Sequence, residues 1–411
     1  MLQPNRHCDA SDNSRAFHKY RRAYASALVI LCVTVVIGSI YSVPQEIVSL
    51  TWEPVLPTQM FPAKILAVGG MQSKGASPIL CDPRSSFRVK VKSSTPASRV
   101  HVEVKVDGFF IDASSCDVTL ENAGQEYLIA PTPRWDMHKL AYNDEPSPAT
   151  IVVNVKADGL DLGQKTSRLQ IRAVNDIPVA VKDEEGHITD QSRLFAAFVN
   201  ENSPIIDEIL KESLEWGAVQ QITGYRQGKA SADDVRMQVF AIWNVLQRHR
   251  VKYSSITTAS GFSDNVRSQS VRFVDETFRM DQANCVDGSV LFASVLYKIG
   301  IFPVLVRKPG HMFVGYYLDP RSHGTLNSLE FLETTMLGSG NPVALVDKPF
   351  PRHDRQWLQS TISYTEFAAA TKKGDQEFKL EVSPKLGNND PSYGLIDIKK
   401  AREEGISPIP R

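Results

Sequence analysis

From Arg99 to Val106 the chain alternates, with Val100, Val102, Val104 and Val106 on one face and His101, Glu103 and Lys105 on the other. A period of two predicts a half-buried strand. Phe87 to Lys92 repeats the pattern, and Thr150 to Val155 and Leu169 to Arg172 read as further strands. Asp107-Gly108, Ala123-Gly124 and Asp158-Gly159 supply the turn chemistry between them. Several short strands at this spacing predict an all-β, antiparallel, immunoglobulin-like sandwich over residues 65–175. His101 and His138 fall inside it and read as surface or edge residues.

The period changes further on. Asn175-Asp176-Ile177-Pro178 reads as a hinge, because a residue before proline is pushed away from helix. A second domain, α+β in class, is expected over residues 176–411. Ser203-Pro204 offers an N-cap and a first-turn proline, and Ile206, Ile209, Leu210 and Leu214 give an apolar helical face. Ser231 to Asp234 resembles a capping box, and Val235, Val239, Ile242 and Leu246 recur at helical spacing behind it. Val271, Val274 and Phe278 suggest another short helix. The apolar run after Cys285 predicts a helix with Leu291, Val295 and Ile299 inward and Gly300 ending it. Strands are then expected over Ile301 to Val306, His311 to Leu318 and Leu329 to Glu333.

One segment exceeds the needs of a core. Ala23 to Val43 carries no charge and would rise about 31 Å as a helix, enough to cross a bilayer core of about 30 Å. Arg6, Arg15, Lys19, Arg21 and Arg22 precede it, and Lys64 is the first basic residue beyond it. The positive-inside rule predicts a cytoplasmic tail at 1–22, a transmembrane anchor at 23–43 and every later domain outside. A cleaved secretory signal is the rival reading. The proline-rich stretch 44–64 reads as a linker.

Lys plus Arg number 46 and Asp plus Glu number 46, so there is no basic excess to suggest a nucleic-acid partner. The cysteines are five: Cys8, Cys32, Cys81, Cys116 and Cys285. If the chain is exported, Cys81 and Cys116 are a candidate disulfide within the first domain, and Cys285 is left as an odd thiol. The alternative is that all three are reduced and buried.

Cys285 carries the chemistry. It lies in Asn284-Cys285-Val286-Asp287-Gly288-Ser289, at the start of the expected helix. A helix N-terminus favours the thiolate, the nucleophilic form. His311 follows the Pro309-Gly310 turn and opens a strand, where its imidazole can serve as base. Glu333 on the next strand is the candidate for orienting the ring. Glu330, three residues earlier, belongs on the opposite face, and Asp319 reads as the start of a turn. The Cys285 N–H and the Gln282 amide are candidate oxyanion donors. Asp287 in the first turn suits the helix dipole and reads as structural. A zinc site on Cys285, His311 and Glu333 lacks the CxxC or HExxH spacing that would argue for it. No metal and no cofactor is expected.

Residues 232–335 resemble the transglutaminase-like superfamily of papain-like thiol enzymes. The resemblance rests on Cys285-Val286-Asp287-Gly288, Gly300-Ile301-Phe302-Pro303, Gly310-His311-Met312-Phe313 and Leu332-Glu333-Thr334-Thr335. It is closest to uncharacterised bacterial members. Two departures stand out: the acidic residue is Glu333 where Asp is usual, and Phe313 stands where Trp is common. The resemblance implies a papain-like fold for the second domain and acyl transfer through a Cys285 thioester, with water or an amine as acceptor. It implies a protein or peptide substrate. With the anchor, it places the chain in a bacterial inner membrane with periplasmic domains. The rival class is a non-catalytic transglutaminase-like binding module.

Overall fold

The computed structural model describes residues 49–69, 77–183, 185–216, 218–226, 229–254, 265–338, 355–386, 390 and 392–410. The apolar segment at 23–43 lies outside them. Among the described residues no helix is long and apolar enough to cross a membrane. The single-pass anchor, and the inner-membrane and periplasmic placement built on it, therefore have no counterpart in the structure and are not carried further.

The alternating strands form two sheets. One runs in the order Leu50–Val55, Arg88–Ser93, Glu126–Ala130, Ile79–Cys81. The other runs Gln59–Met60, Leu160–Ile171, Ser147–Ala157, Ser98–Val106, Ser114–Leu120. Val89 and Val91 from the first share a core with Val100, Val102, Val104, Ile151, Val153 and Val155 from the second. All are withdrawn from solvent, and each such side chain contributes roughly 1.5–3 kcal/mol.

Three expectations need correction here. The Leu50–Val55 and Gln59–Met60 strands fall inside the stretch predicted as a linker, 44–64. The sandwich is not purely antiparallel, because Gln59–Met60 and Ile79–Cys81 pair parallel with their neighbours. Nor is it all-β, since it includes the short helices Pro62–Val68 and Met137–Ala141. Pro62–Val68 faces two ways. Ala63 and Ala67 enter the core of the second layer, while Ile65 packs against the sandwich. Residues 50–411 accordingly form one compact unit.

The expected hinge is also part of the fold. Asp176–Lys182 is a strand paired with Val266–Ser270, and its register shifts between Pro178 and Ala180. Proline lacks the N–H that a regular ladder needs, so a shift at this point follows.

The second layer is α+β. Its sheet runs Leu329–Leu332, His311–Tyr317, Pro303–Lys308, Gly394–Asp397, antiparallel throughout. The helix Cys285–Lys298 packs against it, with Leu291 and Val295 fully buried. The helix Ala232–Arg248 begins at the predicted Ser231–Asp234 capping box and buries Val235, Val239, Ile242 and Leu246. In Pro204–Glu215 the apolar face is shorter than expected, because Leu214 is exposed.

Candidate active site

The nucleophile helix is fixed at its first turn. Asn284 is the N-cap, and its carboxamide oxygen accepts from the N–H groups of Val286 at 2.8 Å and Asp287 at 2.9 Å. Asp287 closes the capping box by accepting from the Asn284 N–H at 3.2 Å. Its carboxylate also takes the Arg272 N–H at 2.9 Å and the Arg272 Nη1 at 3.1 Å. Burial raises the Asp287 pKa, opposed by the bonds from Arg272 and Asn284 and by the guanidinium charge. The structural role predicted for Asp287 therefore has a concrete form: it ties the helix start to the preceding loop.

Small residues let the helix approach its neighbours. A Cβ on Gly288 would already meet the Thr334 side chain at 3.4 Å. The Ser289 hydroxyl donates to the Cys285 carbonyl at 2.6 Å.

His311 opens its strand directly after Gly310, whose φ of 69° suits the turn. The ring Nε2 lies 2.7 Å from Glu333 Oε2. The Cys285 side chain lies near enough to the ring to raise its pKa alongside Glu333. Glu333 is fully buried and does not end a strand as predicted. The strand stops at Leu332, and Glu333 caps the 3-10 turn Thr334–Met336. Its Oε1 accepts from the Thr335 N–H at 3.0 Å and the Thr335 hydroxyl at 2.6 Å, so both carboxylate oxygens are engaged.

The electrostatics follow. Burial works to lower the His311 pKa, but the hydrogen bonds and charges of Cys285 and Glu333 outweigh it and push the pKa up to about 10. Burial works to raise the Glu333 pKa, and the His311 and Thr335 bonds overcome it, holding the carboxyl below its ordinary value. The ring is thus an imidazolium at neutral pH, held between a thiol and a carboxylate.

No described protein family matches the chain, and no curated protein does. What the site can do rests on its own geometry.

The structure brings Cys285, His311 and Glu333 together. Gln282 is not part of that assembly: it is exposed on the two-residue strand Gln282–Ala283 and makes no side-chain hydrogen bond among the described residues. The cap oxygen of Asn284 takes the N–H groups of Val286 and Asp287 and not that of Cys285. Glu330 turns away, bound to Arg236 Nε at 2.6 Å and to the Tyr316 hydroxyl. Asp319 caps a short turn, as its position suggested. His101 and His138 stay on the sandwich, His101 beside Asp117 at 2.8 Å and His138 exposed.

Cys81 and Cys116 are joined in a disulfide. It links edge strands of the two sandwich sheets. Cys285 is the free thiol among the described residues.

Three residues at the site carried no sequence signal. Tyr253 is 48% exposed and pairs with Ala283, two residues before the thiol. Its pKa is raised by burial and then by the nearby charges of Cys285 and Glu333. Glu377 lies 3.8 Å from His311 Nε2, and Lys308 lies 2.7 Å from Glu377. The donor atoms of His311, Glu333 and Glu377 fall within 4.8 Å of one another. The Lys308 ammonium beside Glu377 opposes a further cation there, and no metal is assigned.

Proposed function

We propose that this chain is a transglutaminase-like thiol enzyme that cleaves or transfers the acyl group of an amide bond in a protein or peptide. One observation carries the reading: Cys285, at a capped helix start, lies in the electrostatic reach of a His311 ring that is hydrogen-bonded to the buried Glu333. The resemblance of residues 232–335 to that superfamily points the same way.

The chemistry follows from the roles of the three groups. The Cys285 thiolate attacks the amide carbonyl carbon. The oxygen that becomes negative faces the Cys285 N–H. The His311 imidazolium donates its proton to the departing nitrogen, the C–N bond breaks and a thioester remains. Water or an amine then attacks the thioester, and neutral His311 takes the proton of that acceptor. The thiolate leaves and the imidazolium is restored. Glu333 keeps Nε2–H pointed at itself, so the other ring nitrogen serves the thiol.

The test is capture of the thioester. The full chain is incubated with a mixed peptide digest, quenched in acid and analysed as Cys285-containing peptides by mass spectrometry. Acyl adducts on Cys285 that hydroxylamine removes, absent from Cys285→Ala, are the expected result. If no adduct forms, and an electrophilic amide probe also fails to label Cys285, the acyl-transfer reading is lost and the binding module takes its place.

A further inference from the structure

The helix Ile362–Glu377 does more than cover the sheet. Its Ala370 carbonyl accepts from the Glu333 N–H at 3.1 Å, and its Asp375 side chain accepts from the Phe331 N–H at 3.2 Å. The approach is close because residue 374 is glycine: a Cβ there would lie 2.8 Å from the Phe331 carbonyl carbon. Glu377 follows less than one turn later. At that point the helix loosens into a π-turn, Phe378–Val382, pinned by Phe378 stacked on Phe331 at 4.0 Å. Single π-turns of this kind recur at functional sites.

The π-turn places two carboxylates on one lysine. Lys308 Nζ lies 2.7 Å from Glu377 Oε2 and 3.0 Å from Glu381 Oε2. Lys308 ends its strand directly opposite His311 in the ladder. Glu377 Oε2 is also 3.8 Å from His311 Nε2, and its other oxygen is 3.3 Å from Lys373 Nζ. Lys308, Glu377 and His311 are 15%, 13% and 19% exposed, so water screens them only in part.

We infer that Glu377 and Lys308 are a positioning pair for His311: Glu377 bridges the ammonium and the imidazole and holds the ring against Glu333. This rests on His311 acting as the proton carrier of the thiol site. The groups facing the ring are Cys285 from the nucleophile helix, Glu333 from the 3-10 turn and Glu377 from the helix end. Lys308, Lys373 and Glu381 act on it through Glu377, and Tyr253 lies in the field of Cys285 and Glu333. Lys308 itself meets a burial cost, but Glu377 and Glu381 outweigh it and raise its pKa, so it stays charged.

The two partners should move His311 in opposite directions. Glu377→Gln removes a negative charge beside the ring, so the imidazolium is held less well. Lys308→Met removes a positive charge and frees Glu377 to serve the ring alone. The experiment is a pH titration of the histidine rings by NMR on the full chain labelled at histidine, with His311 assigned from its Gln variant. Circular dichroism checks that each variant is folded, and Glu377→Asp serves as the conservative replacement.

Wild-type His311 is expected to inflect near pH 10. In Glu377→Gln the inflection should fall by roughly one pH unit, and in Lys308→Met it should rise. Glu377→Asp should lie between Gln and wild type. If the wild type inflects near 10 and the Gln and Met variants do not move it, or move it the same way, the positioning pair is refuted while the thiol reading stands. If the wild-type ring inflects near its ordinary value of about 6.5, the carboxylates do not hold the ring and the positioning pair is refuted, while the thiol reading is decided separately by the acyl adduct on Cys285.

Discussion

His311 Nε2 sits 2.7 Å from Glu333 Oε2, and the carboxylate that holds it is itself held by Thr335. A buried carboxylate with both oxygens engaged is a fixed anchor for the ring, not a mobile counter-ion. The imidazole is therefore held in place through its Nε2.

The first prediction concerns the thiol. At pH 7 Cys285 should be alkylated by iodoacetamide roughly tenfold faster than a free thiol, because an imidazolium beside it supplies the charge a thiolate needs. His311→Ala should remove most of that advantage. Glu333→Gln should reduce it less, since a side chain of similar shape still caps the turn. Peptide mass spectrometry across the three proteins gives the rates. A wild type no faster than a model thiol would refute the pair.

How this site was legible in the chain is instructive in its unevenness. Cys285 stands out because Asn284, Asp287 and the apolar run behind it are local signals of a capped helix. His311 stands out because Pro309-Gly310 announces a strand start. Glu333 was reached by strand periodicity, yet it works as the cap of a 3-10 turn. The face assignment against Glu330 held even though the strand ends one residue earlier than predicted.

Glu377 and Lys308 were not legible. Their meeting depends on a π-turn and on the close approach at Gly374, and neither has a periodic signature. The stretch before Lys64 misled for a related reason. Prolines at 54, 57 and 62 suggest a linker, but Pro54 lies within the edge strand Leu50–Val55, where a missing N–H is tolerated. The hinge at Asn175–Pro178 failed in the same way, with a proline absorbed at a shift of register.

A second prediction follows from the charge on His311. Its pKa in the folded chain is about 10, above its ordinary value of about 6.5. The folded state therefore binds the proton more tightly than the unfolded state. Stability from this group is complete below about pH 6.5 and is lost as pH rises towards 10. Urea midpoints from pH 6 to pH 10 should fall more steeply in wild type than in His311→Gln. Equal slopes would show that the ring gains nothing from its partners.

Asp287 gives the third. Its carboxylate is fully buried and receives both Asn284 and Arg272. Asp287→Ala removes the buried acceptor of the Asn284 and Arg272 N–H groups and opens the helix cap, a loss of roughly 1–3 kcal/mol. Arg272→Met should cost less than the aspartate change, because the backbone N–H groups of residues 272 and 284 still meet the carboxylate. Chemical denaturation ranks the two. An Asp287→Ala protein as stable as wild type would mean that the helix start is held some other way.

The disulfide gives the last. Cys81 and Cys116 are 35 residues apart in sequence and lie on edge strands of opposite sheets. Closing a loop of that length restricts the unfolded chain by roughly 3–4 kcal/mol. The double change Cys81→Ser and Cys116→Ser should lower the unfolding free energy by that amount, read as a fall in the denaturant midpoint. It should leave the alkylation rate of Cys285 within about twofold, because the thiol belongs to the other hydrophobic core. The helix Pro62–Val68 contributes side chains to both cores, so this independence is a real question. The two measurements, stability and Cys285 reactivity, are made on the same samples. A fall in both would mean that the sandwich holds the thiol site in shape through that shared helix, and a fall in neither would mean that packing between the sheets already fixes the two edges.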